Sequence, residues 1–311
     1  MKKFLALVIL LLFSTIIFIG CAKESKETNA KDSKKVVSTI KGDVEIPSNP
    51  KRIVDISGSS EELIILGHTP VATANTDPYK PTEFASYIKD KLGNSKIVGF
   101  YMSDTMNIEA ILQADPDLII MSQRQEKIYD QLKEIAPVVM IKDYANDWRT
   151  KMLDIAKLFN QESYAQKWLD EYDKKAQTIA KEIVEKNGKQ TYLTVLASAG
   201  QFYIFSDAGI GAILYNDMKL DKPAKMPAQE GISLPVVTLE GLSQIDADHL
   251  IVIATEEDKK NLENSSVWKN IRAVKEGNVT MLESTPYFGQ GYSPIGRELL
   301  LDLIKEKIIK K

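Results

Sequence analysis

One pattern of residues occurs twice in this chain, once in each half. Residues 107–121 read NIEAILQADPDLIIM and residues 238–252 read TLEGLSQIDADHLIV. Each copy predicts a short helix, a turn that contains aspartate, and an apolar strand buried on both faces. Identical residues coincide in the pairs Glu109 and Glu240, Gln113 and Gln244, Asp115 and Asp246, Asp117 and Asp248, and Ile120 and Ile251.

A second repeated pattern follows each copy. Residues 129–141 (YDQLKEIAPVVMI) and 268–282 (WKNIRAVKEGNVTML) each predict a short helix, a turn and another apolar strand. Alternating units of this kind form parallel sheets covered by helices. The order of the elements therefore predicts two similar α/β halves, and the alternative is a chance likeness between two ordinary α/β units.

A long helix is predicted between the two halves, over residues 163–188. The segment contains no proline and ends at a glycine. At about 1.5 Å per residue it would be nearly 40 Å long, enough to join both halves and to limit their opening to a small movement. Its apolar stripe consists of Trp168, Leu169, Tyr172, Ala176, Ile179, Ala180 and Ile183.

The predicted fold is therefore α/β, with two Rossmann-like lobes that contain parallel sheets and are joined by one long helix. Small ligands bind in clefts between domains, beyond the carboxyl ends of parallel strands. The predicted segments are a signal peptide (1–20), a tether (21–42), an N-terminal lobe (43–143), a helical segment (144–188) and a C-terminal lobe (189–311).

The first residues have the features of an export signal. Lys2 and Lys3 precede an apolar run over residues 4–19, which is shorter than the ~20 residues of a membrane-spanning helix. Cys21 follows Gly20 directly and is the only cysteine, so an internal disulfide is excluded. The polar residues 22–35 predict a flexible tether.

The sequence Phe18-Ile19-Gly20-Cys21 resembles a bacterial lipobox, with phenylalanine where leucine is usual. The resemblance implies cleavage before Cys21 and acylation of its thiol, so that the chain is anchored by lipid at the outer face of the cell membrane. The alternative is an uncleaved anchor with an incidental cysteine.

The composition excludes one class of partner. Charged residues make up 27% of the chain and hydrophobic residues 44%, which is ordinary for a globular protein. The net charge of −3 gives no basic footprint for nucleic acid. We expect a monomer without a cofactor of its own.

Several segments together resemble the ferric-siderophore-binding lipoproteins of Gram-positive bacteria, which are the solute-binding subunits of ATP-driven (ABC) iron importers. The resemblance runs from Cys21 to the end of the chain, including a late aromatic loop followed by a closing helix. It implies capture of an iron(III)–siderophore complex outside the membrane and its delivery to a permease. The more specific segments are PKRIV (50–54), ADPDLIIMSQRQ (114–125) and VWKNIRAVKEGNV (267–279).

The same resemblance implies a docking role for two glutamates. Glu109 and Glu240 occupy the positions at which each lobe of such proteins contacts arginines of the permease dimer. They are also the glutamates that the internal repeat pairs. The alternative is that both are ordinary carboxylates on helix surfaces.

Ligand-binding residues are expected in loops that follow strands. Arg124 follows the strand at 118–121, and its guanidinium suits an oxygen-rich, anionic chelate. Aromatic residues in three loops can embrace a bulky chelator. Phe202 is expected on the opposite face of its strand from Tyr203 and Phe205. The predicted ligand-binding set is Tyr101, Arg124, Tyr203, Phe205, Lys225, Tyr287, Phe288 and Tyr292.

The ligand type follows from the scarcity of arginine. Arg52, Arg149 and Arg272 precede a strand or lie on helices and are expected to be structural, and the segment LASAGQFYIF contains no arginine. A weakly charged, aromatic site favours a near-neutral ferric hydroxamate. A catecholate siderophore, haem and a corrinoid remain open alternatives.

Two other functions are disfavoured by the residues present. A site for a bare transition metal needs several histidine, carboxylate or cysteine ligands, and the chain has only His68, expected to be exposed, and His249, expected in the core. Iron would thus be held by the siderophore. An exported enzyme is disfavoured because the chain has no GxSxG, HExxH or P-loop motif. Asp115 and Asp117, which recur as Asp246 and Asp248, are expected to form turns.

Overall fold

The computed structural model describes residues 33–309. The predicted signal peptide, the lipobox and Cys21 lie outside the described residues. No helix within residues 33–309 combines the length and the apolar character that crossing a membrane requires.

Twelve strands within residues 33–309 form three sheets. The first large sheet has the order β5-β4-β3-β6-β7 and is parallel throughout, and the second has the order β10-β9-β8-β11-β12. In the second, β8, β11 and β12 are parallel, whereas β9 is antiparallel to both β8 and β10. The strands are β1 (Lys34–Thr39), β2 (Gly42–Pro47), β3 (Ile53–Asp55), β4 (Ala72–Asn75), β5 (Lys96–Phe100), β6 (Leu118–Ser122), β7 (Val138–Ile141), β8 (Tyr192–Ser198), β9 (Gln201–Ile204), β10 (Val236–Val237), β11 (His249–Ala254) and β12 (Val279–Glu283).

Helices connect the strands and cover the sheets, and a 3₁₀ helix (Gln123–Ile128) and a π-helical turn (Ile213–Asp217) accompany them. The α-helices are α1 (Ser60–Ile65), α2 (Ser86–Leu92), α3 (Ile108–Gln113), α4 (Tyr129–Leu132), α5 (Trp148–Lys157), α6 (Glu162–Asn187), α7 (Gly209–Ala212), α8 (Leu239–Ser243), α9 (Glu256–Asn264), α10 (Ser266–Asn270), α11 (Arg272–Lys275), α12 (Ser284–Gln290) and α13 (Pro294–Ile308).

The repeated pattern has the same structure in both lobes. α3 leads to β6 in the first lobe, and α8 leads to β11 in the second. Each helix begins with a side-chain cap, since Asn107 accepts a hydrogen bond from the Ala110 N–H and Thr238 accepts one from the Gly241 N–H. A cap of this kind satisfies a backbone donor that the first turn of a helix leaves free.

The second aspartate of each repeat fastens the start of the central strand beside it. Asp117 accepts hydrogen bonds from the backbone N–H groups of Lys51 and Arg52, just before β3. Asp248 accepts from the backbone N–H and the hydroxyl of Thr191, just before β8. The predicted turn role of these aspartates is therefore confirmed, and it includes holding two neighbouring strands in register.

The helix α6 confirms the predicted connection between the lobes. It spans 26 residues, from Glu162 to Asn187, which corresponds to about 39 Å. The predicted stripe is buried except for Trp168, which is half-buried. This stripe belongs to one apolar core that includes residues of both lobes, such as Ile53 and Leu301.

A β-hairpin formed by β1 and β2 precedes the first lobe. Its two strands pair from Lys34 with Pro47 to Thr39 with Gly42. The hairpin lies beside β7, where the Ile40 N–H contacts the Met140 carbonyl at 3.4 Å. The prediction of a flexible tether as far as residue 42 is therefore wrong from Lys34 onward, because residues 34–39 pair with residues 42–47 as a two-stranded antiparallel ribbon.

A buried carboxylate joins the two lobes. Glu61 at the start of α1 is 4% exposed and accepts hydrogen bonds from the Ser293 hydroxyl at 2.7 Å and the Gly296 N–H at 2.9 Å. Ser293 is the N-cap residue of α13 and Gly296 lies in its first turn, in the second lobe, where the helix dipole favours a negative charge. The Tyr87 hydroxyl donates a third hydrogen bond to Glu61. The relative position of the lobes is thus fixed by this contact as well as by α6.

Candidate ligand-binding site

The loop after β3 forms one wall of the cleft, and a buried aspartate holds it. Asp55 has no exposed surface and accepts hydrogen bonds from the Ser57 and Ser60 hydroxyls at 2.6 and 2.8 Å. Gly58, within this loop, has φ +76°, and a Cβ there would lie 2.9 Å from the Tyr101 ring. A glycine is required because the loop packs directly against that ring.

A buried glutamine brings the ends of β5 and β6 together. The Gln125 amide donates to the carbonyls of Tyr101 and Ser103 at 2.7 and 3.0 Å. Its oxygen accepts a hydrogen bond from the Ser122 N–H. The connection places Tyr101 near Arg124, although β4 and β3 lie between β5 and β6, because the carboxyl ends of all strands of a parallel sheet lie at the same edge.

These loops surround a recess in the first lobe with a volume of about 110 Å³. Two predicted ligand-binding residues, Tyr101 and Arg124, line it. Burial raises the pKa of the Tyr101 phenol, while the nearby positive charges of Lys151 and Arg124 act in the opposite direction. The phenol therefore stays protonated at neutral pH and can donate a hydrogen bond. The lining residues are Ser57, Tyr101, Ser122, Gln123, Arg124, Ile141, Lys142, Asp143, Tyr144, Ala145 and Lys151.

Aromatic side chains form the wall of the second lobe. The Phe288 ring lies 5.6 Å from the Tyr292 ring and 6.1 Å from the Phe205 ring. It also meets Tyr79 of the first lobe edge to face at 5.8 Å. Burial raises the pKa of the Tyr292 phenol, and the Tyr101 phenol adds to this effect from across the cleft. Phe288 and Tyr292 thus face the first lobe, and their contact with a ligand stays a prediction.

The aromatic segment itself differs from the expectation. Residues 284–290 form the short helix α12 instead of an irregular loop. The glycine that follows is needed because a Cβ at Gly291 would lie 2.7 Å from the backbone of Gly209. The rings of Tyr287 and Phe288 in this helix, and of Tyr292 just after it, are half-buried and pack against the main core.

The structure argues against a direct ligand contact for Phe205. Its ring has no exposed surface and lies beneath Phe288. The alternation expected from the sequence does hold, because Phe202 packs in a separate core while Tyr203 and Phe205 pack in the main one. Phe205 is covered because the Phe288 ring of α12 lies over it.

The remaining candidates are dispersed. Tyr203 is half-buried on β9, and its hydroxyl donates to Gln201 at 3.2 Å. Tyr287 is half-buried and packs against the main core. Lys225 is exposed in the segment before β10.

Lys151, Tyr144 and Tyr79 belong to the cleft but were not predicted. Lys151 lies on α5. It was missed because the periodicity of a helix indicates which residues are apolar and buried, but not what its polar residues contact. The Tyr144 hydroxyl donates to Asp154 at 3.0 Å, and the Lys142 ammonium lies 4.9 Å from the Tyr144 ring. Lys142 and Tyr144 lie between β7 and α5, beyond the carboxyl end of a parallel strand. That position was the signal from which they could have been found.

The two candidate docking glutamates occupy matching positions. Glu109 lies in the first turn of α3 and Glu240 in the first turn of α8, and both are exposed. Glu109 accepts a hydrogen bond from the Gln113 amide at 3.2 Å. The equivalence of their settings agrees with the sequence repeat, and their role in docking stays a prediction.

Both histidines and three of the arginines have structural contacts. His249 is buried and bonds Thr280 at 2.9 Å, as predicted, whereas His68 is half-buried and stacks on Phe159, which corrects its expected exposure. Within residues 33–309, no three histidine, cysteine or acidic side chains are grouped so as to hold a metal ion. Arg52 donates to the Asp115 carbonyl, Arg149 pairs with Asp173 and Asp217, and Arg272 pairs with Asp246 and Asp248.

Two α/β lobes, a cleft at the carboxyl ends of their strands and one continuous connecting helix define the class of solute-binding proteins with a helical link. Residues 56–286 match the sequence model of the periplasmic binding protein family, and this segment covers more than half of the chain. The protein therefore belongs to the periplasmic binding protein family. Membership confirms the resemblance inferred from the sequence, the two-lobed fold and the assignment as a binding protein rather than an enzyme.

Three similar proteins illustrate the relationship. The probable siderophore-binding lipoprotein YfiY of Bacillus subtilis is 27% identical over 97% of this chain and 98% of its own length. The iron(3+)-hydroxamate-binding protein FhuD of the same organism is 30% identical over 97% of this chain and 96% of its own. The crystal structure of a FhuD fold-family component of a Fep/Fec-like ferrichrome ABC transporter, also from Bacillus subtilis, superposes with a TM-score of 0.74 at 28% identity over 88% of this chain and 100% of its own.

Proposed function

We propose that this protein captures an iron(III)–siderophore complex between its lobes and delivers it to the permease of an ABC transporter. The observation that carries the proposal is the meeting of hydrogen-bond donors from the first lobe, Tyr101 and Arg124, with the aromatic wall of the second. A ferric chelate presents oxygen atoms around the metal and an organic periphery, so both kinds of surface are used. The names of the similar proteins, which refer to siderophores, to ferric hydroxamate and to ferrichrome, support the same ligand class.

A near-neutral hydroxamate complex is the favoured ligand. The positive charges around the recess, on Arg124, Lys142 and Lys151, are offset in part by Asp143 at its rim and by a carboxylate behind Lys151. The second lobe contributes rings instead of further cations. A highly anionic catecholate complex would leave more charge unmatched in such a site, so a catecholate siderophore is the second candidate, ahead of haem or a corrinoid.

Binding is proposed to change the shape of the protein little. The rigid helix α6 and the contact between Glu61 and the start of α13 both hold the lobes together. The loaded protein would present Glu109 and Glu240, one on each lobe, to arginines of a permease dimer. We further propose that acylated Cys21 anchors the protein at the outer face of the cell membrane, where it meets this partner as a monomer.

A titration tests the ligand class. Intrinsic fluorescence is followed while ferric desferrioxamine B, a hydroxamate complex, or ferric enterobactin, a catecholate complex, is added. We expect saturable quenching with the hydroxamate complex at lower concentration than with the catecholate. The iron-free siderophores serve as controls, and the absorbance of haem and cobalamin mixed with the protein tests the remaining candidates. Tighter binding of the catecholate complex would overturn the hydroxamate assignment.

A further inference from the structure

The side chain of Lys151 lies at the base of the recess, between a buried carboxylate and the cleft. Its ammonium is 3.1 Å from Glu62 Oε1 and donates a hydrogen bond to the Gly58 carbonyl at 2.6 Å. Glu62 has no exposed surface, whereas the Lys151 side chain keeps 16% of its own. The exposed part of Lys151 is therefore the part that lines the recess.

Glu62 depends on this one cation. Among the described residues, neither of its carboxylate oxygens accepts a well-aligned hydrogen bond. Burial raises the pKa of Glu62, and the charge of Lys151 is the main effect in the opposite direction. A buried carboxylate with a single partner holds the ammonium in place, because moving the ammonium away would leave the carboxylate charge uncompensated.

The geometry leaves donor capacity on the ammonium for a ligand. A lysine ammonium has three protons. One is donated to the Gly58 carbonyl, whereas Glu62 Oε1 at 3.1 Å forms an ion pair with the ammonium and no aligned hydrogen bond. The Tyr101 phenol and Arg124 line the same recess, and the charge of Lys151 acts on the Tyr101 phenol. The ammonium thus keeps donor capacity in a recess that is also lined by two predicted ligand contacts.

We propose that Lys151 is a ligand-binding residue that donates to an oxygen atom of the bound ferric chelate, and that Glu62 is the positioning residue that holds its ammonium toward the cleft. The inference rests on the proposed function and extends it by assigning a contact from α5, the segment between the lobes. The ligand group is an oxygen of a hydroxamate, carboxylate or catecholate, since each accepts a charged hydrogen bond.

The test separates a ligand contact from a structural ion pair. Lys151→Met keeps the length of the side chain but leaves Glu62 buried without a partner, so the variant is expected to lose stability as well as affinity. The double variant Lys151→Met/Glu62→Met removes both charges, and replacing a buried ion pair by apolar residues of similar size restores stability. In ferric desferrioxamine B titrations, we expect the double variant to melt near the wild-type temperature and still bind about 10- to 100-fold more weakly, the loss expected for one charged hydrogen bond.

A matched pair elsewhere provides the control. Lys305 on α13 contacts Glu182 on α6 at 2.6 Å, outside the cleft. The variant Lys305→Met/Glu182→Met carries the same two changes and should bind the ferric complex as the wild type does. Wild-type affinity in the stable Lys151→Met/Glu62→Met variant would overturn the ligand role of Lys151. If the wild-type protein itself bound neither the hydroxamate nor the catecholate complex, the proposed function would fail instead.

Discussion

The first lobe faces the cleft with charged and polar donors, Arg124, Lys151 and Tyr101, whereas the second lobe faces it with the rings of Phe288 and Tyr292. Each lobe contains one copy of the same helix–turn–strand unit. In both copies the helix has a side-chain cap, and an aspartate accepts hydrogen bonds from the residues just before the neighbouring strand. The repeated residues support the scaffold, and the loops beyond the strands differ. Two similar lobes can therefore recognise two different parts of one ligand.

The largest effect, a loss of uptake, is expected for the two glutamates that occupy matching positions in the two lobes. Replacing both candidate docking glutamates, Glu109→Ala and Glu240→Ala, should abolish uptake of radioactive ferric siderophore by cells, because under the proposed function each lobe would lose its acidic contact with the permease. Ligand affinity should be unchanged, since both residues are exposed and lie in the first turns of α3 and α8. The exposed glutamates Glu134 and Glu263 supply a control double variant, and normal uptake by the docking variant would remove the docking role.

The contact between the lobes is the next test. Glu61→Ala leaves the Ser293 hydroxyl and the Gly296 N–H without their buried acceptor, which should lower the free energy of unfolding by about 3 kcal/mol. For a protein of this size, the melting temperature would fall by roughly 6–12 °C. Thermal melting followed by circular dichroism measures the change, with the exposed Glu83→Ala as control. Equal melting temperatures would mean that the Glu61 contact does not help to hold the lobes together.

A smaller effect is expected for single residues of the two cleft walls, whose contributions to ligand affinity should differ in their dependence on salt. Arg124→Gln and Phe288→Ala are each expected to weaken binding of ferric desferrioxamine B by about tenfold, through a lost charged hydrogen bond and a lost apolar contact. Raising the ionic strength screens exposed charges, so the affinity of Arg124→Gln should depend less on salt than that of the wild type. Phe288→Ala should keep the wild-type dependence, and the reverse result would contradict the division of roles between the lobes.

The smallest effect is expected for Lys225. Its side chain is exposed in the segment before β10, and an exposed charge contributes little to binding or stability. Lys225→Ala should therefore change the affinity for the ferric complex less than about twofold. Titration beside the wild-type protein measures it, and a loss as large as that of Arg124→Gln would bring Lys225 into the site.

Periodicity and repetition were sufficient to predict the scaffold. The structure places the long helix at Glu162–Asn187, one residue from the predicted 163–188 at each end, because its stripe and its glycine stop are local signals. The repeat predicted the matching positions of Glu109 and Glu240 for the same reason. Arg124 and Tyr101 could also be found, since both follow strands whose ends must meet at one edge of a sheet.

The details of the cleft depend on packing between distant segments, which no local pattern encodes. Phe205 is covered by α12, a contact between residues far apart in the sequence. Lys151 reaches the cleft because α5 packs against α1, so that its ammonium meets Glu62 and Gly58. The hairpin from Lys34 was missed because it directly follows a polar stretch that is typical of a disordered segment, whereas its own Val37, Val44 and Ile46 pack against the core.

The apolar core described above continues from Ile46 through α6 to Ile308 without a boundary at the cleft. Unfolding of one lobe would expose core residues of the other, because the same apolar stripe of α6 packs against both lobes. Heating should thus give a single calorimetric peak, with the van't Hoff and measured enthalpies equal.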